Sequence, residues 1–136
     1  MPLKLDIITP ERNLLSETVD AVTVPGLGGE LGILPGHTPL ISQLQTGVLS
    51  YAQGATTRRL LVSGGFVEVN NDRVSVLADL AEFPEEVDAA RARLERDEAE
   101  RRLGGFNGSP EELAEVRAQL DRAATRLQLA SGDAAR

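Results

Sequence analysis

At 136 residues the chain can hold one ordinary domain, or a small domain with an appendage. Its 41% hydrophobic and 26% charged residues are those of a soluble globular protein. A net charge of −7 and an aromatic content of 3% with no Trp argue against a nucleic-acid partner, which needs a basic face and stacking rings. The absence of cysteine removes disulfides and thiol nucleophiles, and a single histidine, His37, removes a structural zinc site.

The N-terminal MPLKLDIITP has one lysine and no long apolar region, so no signal peptide is predicted. No apolar run approaches the ~20 residues that span a bilayer, which predicts contact with a membrane only through a partner. Composition changes near Glu82. Residues 1–81 are rich in Val, Leu, Ile, Thr and Gly, while residues 82–136 carry eleven alanines and most of the charge. The first part reads as β and the second as α.

Leu3, Leu5 and Ile7 alternate with Lys4 and Asp6 as a half-buried strand, and a turn at Thr9–Asn13 returns the chain along Leu14–Ser16. Val22 and Val24 form a strand that Pro25 is predicted to stop. Leu40–Gln45, Val48–Ala52 and Thr56–Ser63 read as strands, the last two flanking a turn at Gln53-Gly54. Phe66–Val69 and Arg73–Leu77 flank Asn70-Asn71-Asp72, the clearest hairpin, because Asn and Asp tolerate left-handed backbone angles. Many short strands at this spacing predict an antiparallel β-sandwich over residues 1–83.

Between these strands, Pro25–Leu40 holds five of the thirteen glycines, three prolines and His37. It does not fit a phosphate loop. Counting from Gly26, the third glycine of a dinucleotide fingerprint is replaced by Leu31, no lysine follows, and Pro35, Gly36 and Pro39 prevent the helix that would donate amides. His37 has no nucleophile and no orienting acid nearer than Glu30, so a shaped loop is preferred to a catalytic one.

From Phe83 the period changes, and residues 84–136 are predicted to form an antiparallel two-helix hairpin. The first helix starts at Pro84-Glu85-Glu86 or with Asp88 as its cap, and runs to about Leu103. Gly104–Gly108 breaks it, and Ser109-Pro110-Glu111-Glu112 restarts it with a capping box. Leu113, Val116, Leu120, Ala123, Leu127 and Ala130 form a narrow seam on the second helix. Buried aliphatic side chains contribute roughly 1.5–3 kcal/mol each and alanines far less, so this hairpin depends on docking against something. The end, Ser131–Arg136, is predicted to fray. Arg91 lies early in the first helix, and Arg122 and Arg126 share a face of the second. Antiparallel folding could bring all three together, an arrangement suited to a polyphosphate, although solvated ion pairs are the commoner role for helix charges.

Taken together, the sandwich, the motif Gly29-Glu30-Leu31-Gly32-Ile33-Leu34-Pro35-Gly36-His37, the motif Ser63-Gly64-Gly65-Phe66-Val67-Glu68-Val69 and the Ala/Arg/Glu-rich hairpin resemble the epsilon subunit of bacterial F-type ATP synthase over essentially the whole chain. The resemblance implies a non-catalytic rotor subunit at the cytoplasmic face of the membrane. Its sandwich would bind the gamma subunit and the c-subunit ring, with Glu30 and His37 as ring contacts. Net acidity suits a partner presenting basic side chains. The resemblance also implies a hairpin that either folds on the sandwich or extends into the alpha/beta head, where it obstructs hydrolysis. Some relatives bind ATP in the folded hairpin, and the matching residues here are Glu82, Val87, Asp88, Arg91, Ala92, Arg122 and Arg126. Where such relatives can carry a further arginine, this chain has Glu98, which weakens phosphate binding. No cofactor is required by this reading, and ATP is at most a regulatory ligand. The alternatives are a stand-alone ATP-sensing hairpin module and an enzyme using Glu30 and His37.

Overall fold

A computed structural model describes residues 2–131. Among these residues one five-stranded sheet contains β1 (Leu3–Ile8), β2 (Asn13–Val19), β5 (Leu40–Gln43), β8 (Phe66–Asn70) and β9 (Arg73–Leu77), in the order β2-β1-β9-β8-β5. The other contains β3 (Ala21–Gly26), β4 (Gly29–Ile33), β6 (Gly47–Gln53), β7 (Thr56–Ser63) and β10 (Leu80–Glu82), in the order β10-β7-β6-β3-β4. A 3-10 turn at Pro84–Glu86 leads to α1 (Ala89–Gly104) and α2 (Pro110–Ser131).

The sandwich follows from alternation. Leu3, Leu5 and Ile7 of β1 turn inward, as do Val67 and Val69 of β8 and Val74 and Val76 of β9. They meet Val22, Val24, Leu49, Tyr51, Leu60 and Val62 from the opposite sheet. Among the described residues all but one of the strand pairings are antiparallel. The exception is β1 with β9, where Leu5 lies beside Val74 and Ile7 beside Val76 in parallel. The first and ninth strands are far apart in sequence, so no hairpin turn constrains their direction.

Several sequence expectations are corrected. Pro25 does not stop its strand: β3 continues to Gly26 and folds back on β4, with Pro25 opposite Glu30 and Gly26 opposite Gly29. Proline is tolerated because β6 pairs with β3 only at Ala21–Thr23, so no ladder bond needs its missing N–H. Part of the glycine stretch is therefore a strand. The β8–β9 connection is two residues, Asn71 and Asp72, both at positive φ (51° and 59°), closed by Asn70 opposite Arg73. β5 ends at Gln43, because Leu44 leaves it to bridge Gly26 and tie the two sheets together at that corner.

The capping box of α2 forms as predicted, with Glu112 N–H donating to Ser109 Oγ (3.1 Å) and Ser109 N–H to Glu112 Oε1 (3.0 Å). In the hairpin seam Val116 and Ala123 are buried on α2, and Ala92 and Ala99 on α1. Leu113, Leu120 and Leu127 are only half-buried, and Ala130 is exposed where the seam would bury it. Leu129 is buried in its place, because the end of α2 faces the sandwich instead of α1. Apart from Ser131, which closes α2, the predicted frayed end lies outside the described residues.

Gly65, in the turn between β7 and β8, has φ +93°, and an added Cβ would fall on the Leu77 carbonyl oxygen and within 2.9 Å of Ala78 Cα. Gly65→Ala is expected to destabilise the sandwich by about 1–3 kcal/mol from its backbone angle alone, and by more once Leu77 is displaced. Urea unfolding followed by fluorescence of Tyr51, the only tyrosine in a chain without Trp, should show a lower midpoint; an unchanged midpoint contradicts the close approach.

Candidate functional site

In the second sheet Val48 of β6 lies opposite Leu61 of β7, and Leu61 opposite Glu82 of β10. Leu60 and Val62 belong to the core, so by strand alternation this row faces outward. α2 crosses it. Leu129 is buried against Leu61, with Val48 and Leu80 half-buried around them. One turn earlier, on the same helical face, Arg126 forks onto Glu82: Nε donates to Oε1 and Nη2 to Oε2, both at 2.9 Å. Their side chains are only 18% and 22% exposed. Glu95 of α1 lies 3.7 Å from Arg126 Nη1. The bond to Glu82 holds the guanidinium above its ordinary pKa against the opposing effect of burial.

Beside this fork a cavity of about 310 Å³ opens between the two domains. Glu82, Val87, Asp88, Arg91 and Arg126 line it, five of the seven residues predicted from the sequence. Ala92 is buried and does not line it. Arg122 lies elsewhere, lining a second cavity of about 380 Å³ with Ser63, Asp79 and Ala118, and pairing with Glu115 at 3.7 Å. The three arginines thus do not converge; two do.

Two acids that sequence reasoning missed also line the first cavity, Glu86 and Glu95. Glu95 was detectable as the i+4 partner of Arg91, 4.0 Å away. Four carboxylates therefore face two guanidinium groups. Glu98 is not among the lining residues, and forms an ion pair with Arg101. Asp88 is committed locally, its carboxylate capping α1 by accepting from Arg91 N–H at 3.1 Å.

The linker into this site is tied to the sandwich. Arg12, in the β1–β2 turn, donates to Glu86 Oε1 at 2.8 Å, and Phe83 N–H donates to the same oxygen at 2.9 Å. Arg58 of β7 lies over the Phe83 ring at 5.7 Å and pairs with Glu85 at 3.8 Å. The Arg12 bond, then the Phe83 amide, holds the Glu86 carboxyl below its ordinary pKa.

Glu30 and His37 do not share a tip. Glu30 is next to the β3–β4 turn, whose Leu27 is 60% exposed. Strand β4 then runs about 10 Å from Glu30 to Ile33, at ~3.3 Å per residue. His37 lies beyond it in a loop held to the opposite, β8–β9 end of the sandwich, where Gly36 N–H donates to Asp72 Oδ1 at 2.7 Å. His37 Nδ1 is 2.7 Å from the Thr38 carbonyl oxygen. The outer face of the first sheet carries Ile8, Leu77 and Phe66 side by side across β1, β9 and β8, at 38%, 50% and 48% exposure. Among the described residues no helix covers that row.

Family models match both parts of the chain in this order: the ATP synthase delta/epsilon chain β-sandwich domain over residues 2–84, and the delta/epsilon chain long α-helix domain over residues 85–131. The chain belongs to the ATP synthase delta/epsilon family. Among curated relatives, an ATP synthase epsilon chain of Dehalococcoides mccartyi is 48% identical, over 94% of this chain and 91% of its own length. That of Herpetosiphon aurantiacus is 45% identical, over 96% and 95%. The fold is shared with a chain in the Euglena gracilis mitochondrial ATP synthase (TM-score 0.79, 24% identity, 99% of this chain and 82% of that one). It is also shared with a chain in the Tetrahymena thermophila central stalk and c-ring assembly (TM-score 0.68, 12% identity, 96% and 97%). Within the family's two-part plan, the fork and its cavity lie where the sandwich meets the helices. No helix of the described residues is long and apolar enough to cross a membrane.

The Arg12–Glu86 contact predicts an acid-sensitive linker. A carboxyl whose folded pKa is depressed contributes stability that is fully present above its unfolded pKa and is lost as pH falls through the folded value. Stability measured across the acid range should show this loss in the native chain, and Glu86→Gln should remove that part of the dependence. Identical pH profiles for the two would contradict it.

Proposed function

We propose that this chain is the non-catalytic epsilon-type subunit of the central stalk of an F-type ATP synthase, coupling proton-driven rotation to ATP synthesis at the catalytic head. The observation that carries this reading is the match to both family domains, in order, across residues 2–131, supported by bacterial epsilon chains nearly half identical over almost the whole length. The separation of Glu30 from His37 removes the geometry an enzyme using both would need.

The uncovered row Ile8, Leu77 and Phe66 is the surface proposed for the gamma subunit. Aromatic and aliphatic side chains adjacent across three strands give an apolar centre to an interface. Glu30 and the exposed Leu27, at the β3–β4 turn, are proposed to face the c-subunit ring, where the negative charge of the chain favours basic loops. His37, at the other end of β4, would reach the ring only if the partner surface wraps the sandwich. Attachment to the membrane through the ring puts the chain at its cytoplasmic face as a peripheral subunit. The hairpin, released from the sandwich, is proposed to reach the alpha/beta head and hinder hydrolysis.

The cavity beside Arg126 and Arg91 is proposed as a regulatory ATP site. Its four carboxylates and the commitment of Arg126 to Glu82 weaken phosphate binding, because an arriving anion must displace one carboxylate and approach three more.

Co-expression with the gamma subunit is expected to yield a stable pair, and Phe66→Asp with Leu77→Asp to weaken it by roughly tenfold or more. A native chain that never associates with gamma overturns the rotor reading. For the nucleotide, titration of ATP into the isolated chain should give saturable binding that the Arg91→Ala, Arg126→Ala double variant loses. Equal binding by both, or none by either, overturns the site.

A further inference from the structure

The contact between the two domains is small and unusually specific. Its apolar part is Leu129 against Leu61, edged by Val48 and Leu80. Its polar part is the Arg126 fork on Glu82, at 2.9 Å through both nitrogens. Both parts come from one row of the sheet and one face of α2, so they form or break together. The hairpin itself buries mostly alanine along its seam, which gives it little independent reason to sit on the sandwich.

The bonds around the linker run in two directions with a gap between them. Up to Val87 they point back to the sandwich and to the turn preceding it: Arg12 to Glu86, Arg58 to Glu85 and Phe83, and the Glu86 and Val87 amides to the Phe83 and Pro84 carbonyls at 3.0 and 3.1 Å. From Asp88 they point forward, its carboxylate to Arg91 N–H and its carbonyl to Ala92 N–H at 3.0 Å. Val87 and Asp88 are both extended, with φ/ψ of −83°/128° and −91°/101°. Extended residues between two internally bonded segments are where backbone rotation meets the least resistance.

We propose that Val87–Asp88 is the pivot between the two domains and that the Glu82–Arg126 fork is its latch, closed by a carboxylate of the chain itself. The docked hairpin therefore needs no bound nucleotide. The rigid unit extends past the sandwich through Glu86, beyond the family-domain boundary at residues 84 and 85. The latch is selective because Arg126 leaves its carboxylate only for another partner of matching charge and shape, or for water. Removing Arg126 leaves Glu82 half-buried without its hydrogen-bonded counter-charge, so the docked state loses more than one hydrogen bond, whereas Arg126 deprived of Glu82 keeps only Glu95 of its own hairpin, at 3.7 Å.

The test uses the full chain in nucleotide-free buffer, so its outcome is independent of the proposed ATP site. Spin labels at Thr57→Cys on β7 and Ala124→Cys on α2, both exposed and in a chain without native cysteine, report the distance between sandwich and hairpin. The native pair should give one short, narrow distance. Arg126→Gln should raise the undocked fraction by roughly tenfold or more, and exchanging the charges with Glu82→Arg and Arg126→Glu should restore docking. Tyr51 fluorescence checks that the sandwich stays folded in each variant. A hairpin already undocked in the native chain, or equally docked in Arg126→Gln, overturns the latch. For the pivot, backbone NMR relaxation of Arg126→Gln should show residues through Glu86 tumbling with the sandwich and residues from Ala89 onward separately. Adding Arg12→Gln should move that boundary back toward Phe83. A boundary already at Phe83 with Arg12 intact overturns the pivot.

Discussion

The outward row Val48, Leu61 and Glu82 connects every level of this molecule. It exists because β10 pairs with β7 in a register that places Glu82 opposite Leu61, and because β6 continues that register to Val48 on the other side. An apolar centre with a carboxylate at one end can be matched only by a helix presenting Leu and Arg one turn apart, which α2 does with Arg126 and Leu129. Had β10 slipped by one residue, Glu82 would point to the core and Ala81 outward. The helix would then have a surface to touch but no partner for its charge.

This constraint separates two kinds of stability in one chain. The sandwich is held by interleaved Leu, Val and Ile from both sheets, with its sheets joined at the corner where Leu44 bridges Gly26. The hairpin is held by an alanine-rich seam, two well-formed caps and one small contact with the sandwich. An element with so little apolar burial can change position at modest cost while the sandwich stays intact. Such a division suits the proposed roles, a stiff sandwich seated in the stalk and a hairpin free to move.

The cavity beside the fork shows how neighbouring charges limit a ligand site. Arg91 and Arg126 alone would form an anion site, but Glu82, Glu86, Asp88 and Glu95 surround them. Each of these acids already has a partner within the junction. Glu82 holds the hairpin, Glu86 holds the linker to Arg12, Asp88 caps α1 and Glu95 pairs with both arginines. The chemistry that stabilises the domain junction is the same chemistry that opposes a phosphate there.

Local rules were enough for much of this chain. Period-two alternation announced the strands around Leu5, Val67 and Val74, Ser109 and Glu112 announced the restart of the second helix, and Gly104–Gly108 announced the turn between helices. These features depend on residues a few positions apart, whose geometry the backbone fixes directly. The continuation of β3 through Pro25 was hidden, because a proline reads as a stop until it is known that no strand requires its N–H. The parallel pairing of β1 with β9 was hidden for a related reason, since only the assembled sheet brings those strands together. Arg122 and Arg126 looked equivalent in sequence. Four residues of helix separate them by about 6 Å along the axis, more than a hydrogen bond can span, so one meets Glu82 and the other a different cavity. The sequence alone determined which side chains could form ion pairs; the register of β10 on β7 and the seat of α2 across it decided which of them did.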